Sequence, residues 1–247
     1  MKVVAAIDSF KGSMTSMEAG NAVKKGILAA KPDAEVWLSP LADGGEGTVD
    51  ALIEGLGAKK IPVTVTGPLG EKVSCYYGFL EETKSAVMEM ASAAGITLVT
   101  KKDPLRASTY GVGEMIADAL KRGCKNFMIG IGGSATNDGG VGMLQALGYD
   151  FLDKDGNQIK HGAIGLKDLV HIKDDKAIPE LKDCEFHIAC DVTNPLCGEQ
   201  GCSVIFGPQK GATEQMIKDM DHWLADYAKI AKESFTKADA DKPGTGA

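Results

Sequence analysis

Four short segments concentrate the side chains that can bind or move charge, and each follows an apolar run. The first is Asp8-Ser9-Phe10-Lys11-Gly12-Ser13. Backbone amides at a helix start hold phosphate or carboxylate, and Lys11 would add a point charge. The segment reads equally as a helix cap with a solvated lysine. The second, residues 41–48, sets Asp43 and Glu46 around paired glycines. Two acids facing a tight turn are costly without a cation, so Asp43 suits a general base or a cation ligand, and Glu46 likewise. The plainer alternative is a capping acid. The third, residues 130–140, reads Gly-Ile-Gly-Gly-Ser-Ala-Thr-Asn-Asp-Gly-Gly. A glycine-rich loop opening a helix can cradle phosphates, with Gly132, Gly133, Ser134, Asn137 and Asp138 as candidates. It lacks the Lys-Ser/Thr pair of a P-loop, and Ala135 stands where the dinucleotide fingerprint has its third glycine. The fourth contains Asp191 and Asn194, with Lys210 between two glycines shortly after. Asp191 is placed for acid–base or metal chemistry, Asn194 for an oxyanion and Lys210 for phosphate, against a reading as an Asp turn and a surface lysine. Arg106 is a weaker candidate for a substrate carboxylate.

The elements that must position these segments are legible in outline. Residues 2–7 (KVVAAI) read as a buried strand. Residues 15–30 read as a helix capped by Ser13 or Thr15, with Met17, Val23, Ile27 and Leu28 as its apolar stripe. A strand at 35–38 and a helix at 48–56 complete a β-α-β-α pattern, which implies parallel pairing. From Ile61 the texture changes to alternating residues with turn signals at Gly67-Pro68, Gly70 and 82–84, as in antiparallel hairpins. Helices are predicted at 108–122, up to 147 and at 213–235, and strands at 126–131 and 185–191. Ligands of open α/β sheets sit at the carboxyl ends of strands, which is where these loops fall. The expected division is residues 1–64 as part of a Rossmann-like domain and residues 65–247 as a second α/β domain.

Bulk properties exclude several classes. Hydrophobic residues at 44% and charged residues at 25% of a 247-residue chain fit a globular protein with a real core. The formal net charge of −7 argues against a nucleic-acid or anionic-membrane surface. No stretch approaches the length of a bilayer span, and the N-terminus lacks the pattern of a signal peptide, so a cytoplasmic protein is expected. The six cysteines make no CxxC pair and read as free buried thiols. His161, His171, His187 and His222 read as structural, His187 being a candidate for burial in its strand. No GxSxG elbow is present.

Taken together, DSFKGS, ADGGEGTVDAL, EMASAAGI, STYGVGEMI, GIGGSATNDGGVGM, CDVTNPLCG and FGPQKGAT resemble the glycerate kinase family of bacterial glycerate and sugar-acid catabolism. The seven blocks, in order, span residues 8–213. The resemblance implies ATP-dependent phosphoryl transfer to D-glycerate with Mg2+, the 2-phosphate being the favoured product. It also implies two α/β domains, the first flavodoxin-like and the second with antiparallel hairpins, around a cleft. Members of the family continue beyond the Gly-Thr-Gly-Ala region, so this chain is expected to lack a part that completes the first sheet and one wall of the cleft.

Phosphoryl transfer needs positioning and charge neutralisation above all. The expected arrangement sets the triphosphate over Gly132, Gly133 and Ser134, with Asn137, Asp138 and Lys210 beside it. Asp8, Lys11, Asp43 and Asp191 form the catalytic group. Asp43 or Asp191 takes the hydroxyl proton while the other helps hold magnesium, and Ser13, Glu46, Arg106 and Asn194 serve the substrate. Two other readings are a silent small-molecule sensor on the same scaffold and a phosphatase with Asp8 as nucleophile. The latter lacks its second acid, because position 10 is Phe10.

Overall fold

A computed structural model describes residues 1–8, 10, 13–41, 49–50, 53, 55 and 57–247. Strand β1 (Lys2–Ile7), helix α1 (Ser16–Ala30) and strand β2 (Glu35–Pro40) form a parallel β-α-β unit, with Val4 opposite Trp37 and Ala5 opposite Leu38. Thr15 is the cap. Its hydroxyl receives the Glu18 amide at 3.2 Å, and Glu18 receives the Thr15 amide at 2.8 Å, a reciprocal capping box. The buried side of α1 is made by Ser16, Ala19 and Gly20. A Cβ on Gly20 would lie 3.4 Å from Leu38, so small residues let the helix approach the sheet. The expected stripe of larger residues flanks that contact, and Val23 is 41% exposed.

The larger sheet runs β3 (Lys59–Thr66), β4 (Lys72–Leu80), β5 (Ser85–Glu89), β6 (Asn126–Gly130) and β9 (Glu185–Ala189) in spatial order. The first three pair antiparallel through short turns. Gly70, with φ +98°, supplies the left-handed residue of the first turn. The expected boundary between residues 64 and 65 falls inside β3, which pairs with β4 from Lys59 to Thr66.

The pairs β5–β6 and β6–β9 are parallel. Their crossovers carry helices α2 (Ala91–Ala94), α3 (Tyr110–Lys121) and α4 (Val141–Ala146), strand β7 (Asp150–Leu152), helix α5 (Ala163–Leu166) and strand β8 (His171–Lys173). After β9 come α6 (Cys202–Phe206), a 3-10 turn (Pro208–Lys210) and α7 (Glu214–Ser234). One core fills the space between the sheet and α3, with Tyr77, Met88, Met115, Ile116 and Phe127 at its centre. A second gathers Phe151, Leu166, Ile172 and Leu224 beneath α7 and the small β7–β8 sheet. The architecture is α/β, with one parallel unit and one mixed sheet.

Two local expectations are corrected. His187 is exposed and lies 3.3 Å from Glu185, because β9 is the sheet's edge strand and has β6 as its partner on one side. Among the cysteines, Cys75, Cys124 and Cys202 are buried, while Cys184 and Cys197 are half-buried and Cys190 is exposed. No helix among the described residues is long and apolar enough to cross a membrane.

Candidate active site

Parallel pairing brings three strand ends to one edge. Glu89 lies opposite Gly130, and Gly130 opposite Ala189. The chain therefore leaves β6 into the glycine-rich loop beside the point where it leaves β9 toward Asp191. A cavity of about 230 Å³ opens there. Ile131, Gly132, Gly133 and Ser134 form one wall, and Ala189, Cys190, Asp191 and Val192 another. Phe206, Gln209, Lys210 and Ala247 also line it. Two of the four predicted segments thus share one concave site, with Asp191 and the glycines both among its lining.

The loop wall is held from behind. Ile96 donates its amide to the Gly133 carbonyl at 2.9 Å, and Ala135 donates to Ala94 at 2.9 Å. Gly95 can serve at this junction because a Cβ would stand 2.3 Å from the Ala91 carbonyl oxygen. Gly133 itself has φ +74°, a conformation that favours glycine.

Further along the loop the side chains turn away from the cavity. Asp138 is 1% exposed. Its Oδ2 accepts the Thr109 amide at 2.9 Å, the Thr109 hydroxyl at 2.9 Å and the Gly142 amide at 3.2 Å. Its Oδ1 accepts the Gly140 amide at 3.2 Å. The amides that open α4 are thereby taken by the chain's own carboxylate, and α4 is only six residues long. Asn137 and Asp138, expected beside the triphosphate, are buried, whereas Gly132, Gly133 and Ser134 line the cavity and Gly133 is exposed. Asn137 is 3% exposed and donates to Ser203 Oγ at 2.8 Å. Its Oδ1 has no hydrogen-bond partner among the described residues.

Lys210 is 4% exposed, and its ammonium donates to the Thr136 carbonyl. Burial pulls its pKa down, while the charges of Cys202 and Asp138 work the other way. Lys102 braces the same turn by donating to the Gln209 carbonyl at 2.8 Å.

The remaining candidates lie elsewhere. Asp8 directly follows β1 and is exposed, and Ser13 is exposed at the approach to α1. Arg106 is exposed and pairs with Asp103 at 3.1 Å, away from the cavity walls. Asn194 donates to the Gln200 carbonyl at 2.8 Å and accepts the Gly246 amide at 2.9 Å, so it ties loops together. Lys11, Asp43 and Glu46 lie outside the described residues.

Sequence reasoning passed over Glu89, a buried acid that accepts the Val49 amide at 2.7 Å. The available signal was its place at the end of an apolar strand, the same signal that singled out Asp191. Thr109 and Ser203 were also passed over, since hydroxyls that hold a loop from beneath carry no distinctive spacing.

The chain matches the glycerate kinase family over residues 3–247. It belongs to that family. Along its whole length it is 47% identical to the glycerate kinase of Haemophilus influenzae and 48% identical to the glycerate 2-kinase of Escherichia coli. It spans 66% and 65% of those two proteins, about two thirds of the length of the curated relatives it matches. The crystal structure of a candidate glycerate kinase 2 from Salmonella typhimurium LT2 superposes on all of this chain and on 67% of the other, with a TM-score of 0.95 at 45% identity.

For magnesium the donor type fits: Asp191 offers carboxylate oxygen, which this hard cation prefers. No group of three or more His, Cys, Asp or Glu that could hold a metal occurs among the described residues; the other acids read as cation ligands, Asp43 and Glu46, lie outside them.

Proposed function

We propose that the protein carrying this chain is a cytoplasmic, ATP-dependent kinase that phosphorylates D-glycerate, giving 2-phosphoglycerate. One observation supports this above the rest. In a chain of the glycerate kinase family, the glycine-loop residues Gly132, Gly133 and Ser134 and the acid Asp191 line one cavity. Backbone amides of Gly132, Gly133 and Ser134 bind phosphoryl oxygens, with Lys11 adding charge. Asp43 or Asp191 accepts the proton of the attacking hydroxyl, and the other helps hold Mg2+. When bound, that ion neutralises phosphate charge. Asp8 belongs with the catalytic group, and Ser13 and Glu46 serve the substrate side. The two α/β domains are best divided just before Lys59, so that β3 stays with its partner β4. No nucleic acid or membrane takes part.

A coupled assay of ADP release with D-glycerate, ATP and Mg2+ tests the proposal. It is run on this chain and on a version extended to the length of the curated relatives, with phosphorus NMR to identify the product. Turnover in either form with 2-phosphoglycerate as product supports the reading. Retained ATP binding without turnover in both forms overturns it in favour of a sensor.

A further inference from the structure

Three successive residues of the glycine-rich loop, Thr136, Asn137 and Asp138, are buried. Each is held by a different element. Lys210 of the 3-10 turn takes the Thr136 carbonyl, Ser203 of α6 takes the Asn137 amide group, and Thr109 at the start of α3 takes the Asp138 carboxylate. Thr109 extends the tie, because its hydroxyl also accepts the Met143 amide at 2.9 Å. Gly142 belongs to the same knot: a Cβ there would stand 2.1 Å from Ser108 Oγ and 2.9 Å from Asp138 Oδ2. The loop is thus pinned over its second half and presents backbone to the cavity over its first.

A lysine that binds phosphate needs an ammonium reachable from the ligand side. Lys210 is buried and has one N–H committed to a carbonyl within the loop. We propose that Lys210 is a positioning residue: it holds the Thr136 peptide from beneath, so that Gly132, Gly133 and Ser134 keep one conformation, and it makes no contact with bound phosphate. This rests on the reading of the cavity as the phosphate site, and it reassigns the lysine that lines the cavity among the described residues.

The test has two independent readouts. In Lys210→Met, which keeps the stem and removes the charge, amide hydrogen exchange of residues 132–138 is followed without ligand. Loss of a charge-assisted bond is expected to speed that exchange at least about tenfold. Affinity for ATP, measured by calorimetry, is expected to fall in step with the faster exchange. Unchanged exchange overturns the proposal, as does a loss of ATP affinity without any change in exchange. The second readout needs no variant. Unsubstituted protein is labelled with acetic anhydride and mapped by mass spectrometry, with and without ATP. Exposed Lys176 is expected to label while Lys210 stays unmodified in both states. Labelling of Lys210 that ATP suppresses would show a phosphate contact and sink the positioning role. Failure of ATP to bind unsubstituted protein would count against the kinase reading, and the exchange experiment would still decide the role of Lys210.

Discussion

Glu89 accepts the backbone amide of Val49 at 2.7 Å, across forty residues of chain. Both residues are buried. The bond joins the end of β5, beside Gly130, to the helical residues that follow the segment containing Asp43 and Glu46. Removing a charged acceptor leaves a buried amide unsatisfied, so Glu89→Ala is expected to cost about 2–3 kcal/mol. Glu89→Gln retains an acceptor oxygen and should cost about 1 kcal/mol. Urea unfolding of the two variants against the parent chain checks the order. Equal losses would mean that the carboxylate charge, and not the acceptor, is what matters at this position.

Gly142 offers a sharper steric case. It lies where α4 crosses the start of α3, and a methyl group would meet Ser108 Oγ at 2.1 Å and the Tyr110 nitrogen at 2.8 Å. Backbone cannot yield as a flexible side chain can. Gly142→Ala is therefore expected to destabilise by about 3 kcal/mol or more through overpacking. Gly26, where a Cβ would meet nothing within 4 Å, lies inside α1, and Gly26→Ala should stabilise by about 0.5–1 kcal/mol. Thermal unfolding of the pair side by side reads both signs in one experiment.

The sequence made some of this visible for clear physical reasons. Long segments such as α1, α3 and α7 carried helical periodicity over many residues. The hairpins of β3, β4 and β5 carried alternation and turn residues. Short pieces carried neither. Asp150–Leu152 and His171–Lys173 are three residues each and gain their pairing from the α7 core they pack under. The candidate site was legible as residue types at strand ends, and the structure sets Gly132 and Asp191 on the lining of one cavity. It was not legible which polar side chains face inward. Asp138 and Lys210 look like solvent-facing ligands in a one-dimensional reading, and only the approach of α3 and the 208–210 turn buries them.

Asp191 separates function from stability. It is exposed on the cavity wall, so Asp191→Asn should change stability by no more than about 0.5 kcal/mol. If it serves as proton acceptor or cation ligand, kcat in a form of the protein that turns over should fall by about 100-fold or more. Steady-state kinetics beside a melting curve measures both. Near-parental kcat would remove Asp191 from the catalytic group and leave Asp43 as the remaining acid for that role.

The thiols give a reading of the cavity that requires no turnover. Cys190 is exposed and lines the wall beside Asp191, with its Sγ 3.3 Å from the Val192 carbonyl. Cys75, Cys124 and Cys202 are pushed up to about 11, burial being the first cause in each. A raised thiol pKa favours the neutral form. At pH 8 only about one molecule in a thousand carries the thiolate that attacks a disulfide reagent at these three positions. Their reactivity should climb roughly tenfold per pH unit until about pH 11. A chromogenic aromatic disulfide at pH 8 should therefore titrate Cys190 as a separate fast phase, which Cys190→Ser abolishes. If the cavity takes the nucleotide, saturating ATP should slow that phase by about tenfold or more through simple exclusion of the reagent. A fast phase that survives Cys190→Ser would place the reactive thiol elsewhere. A Cys190 phase indifferent to ATP would move the nucleotide away from this wall.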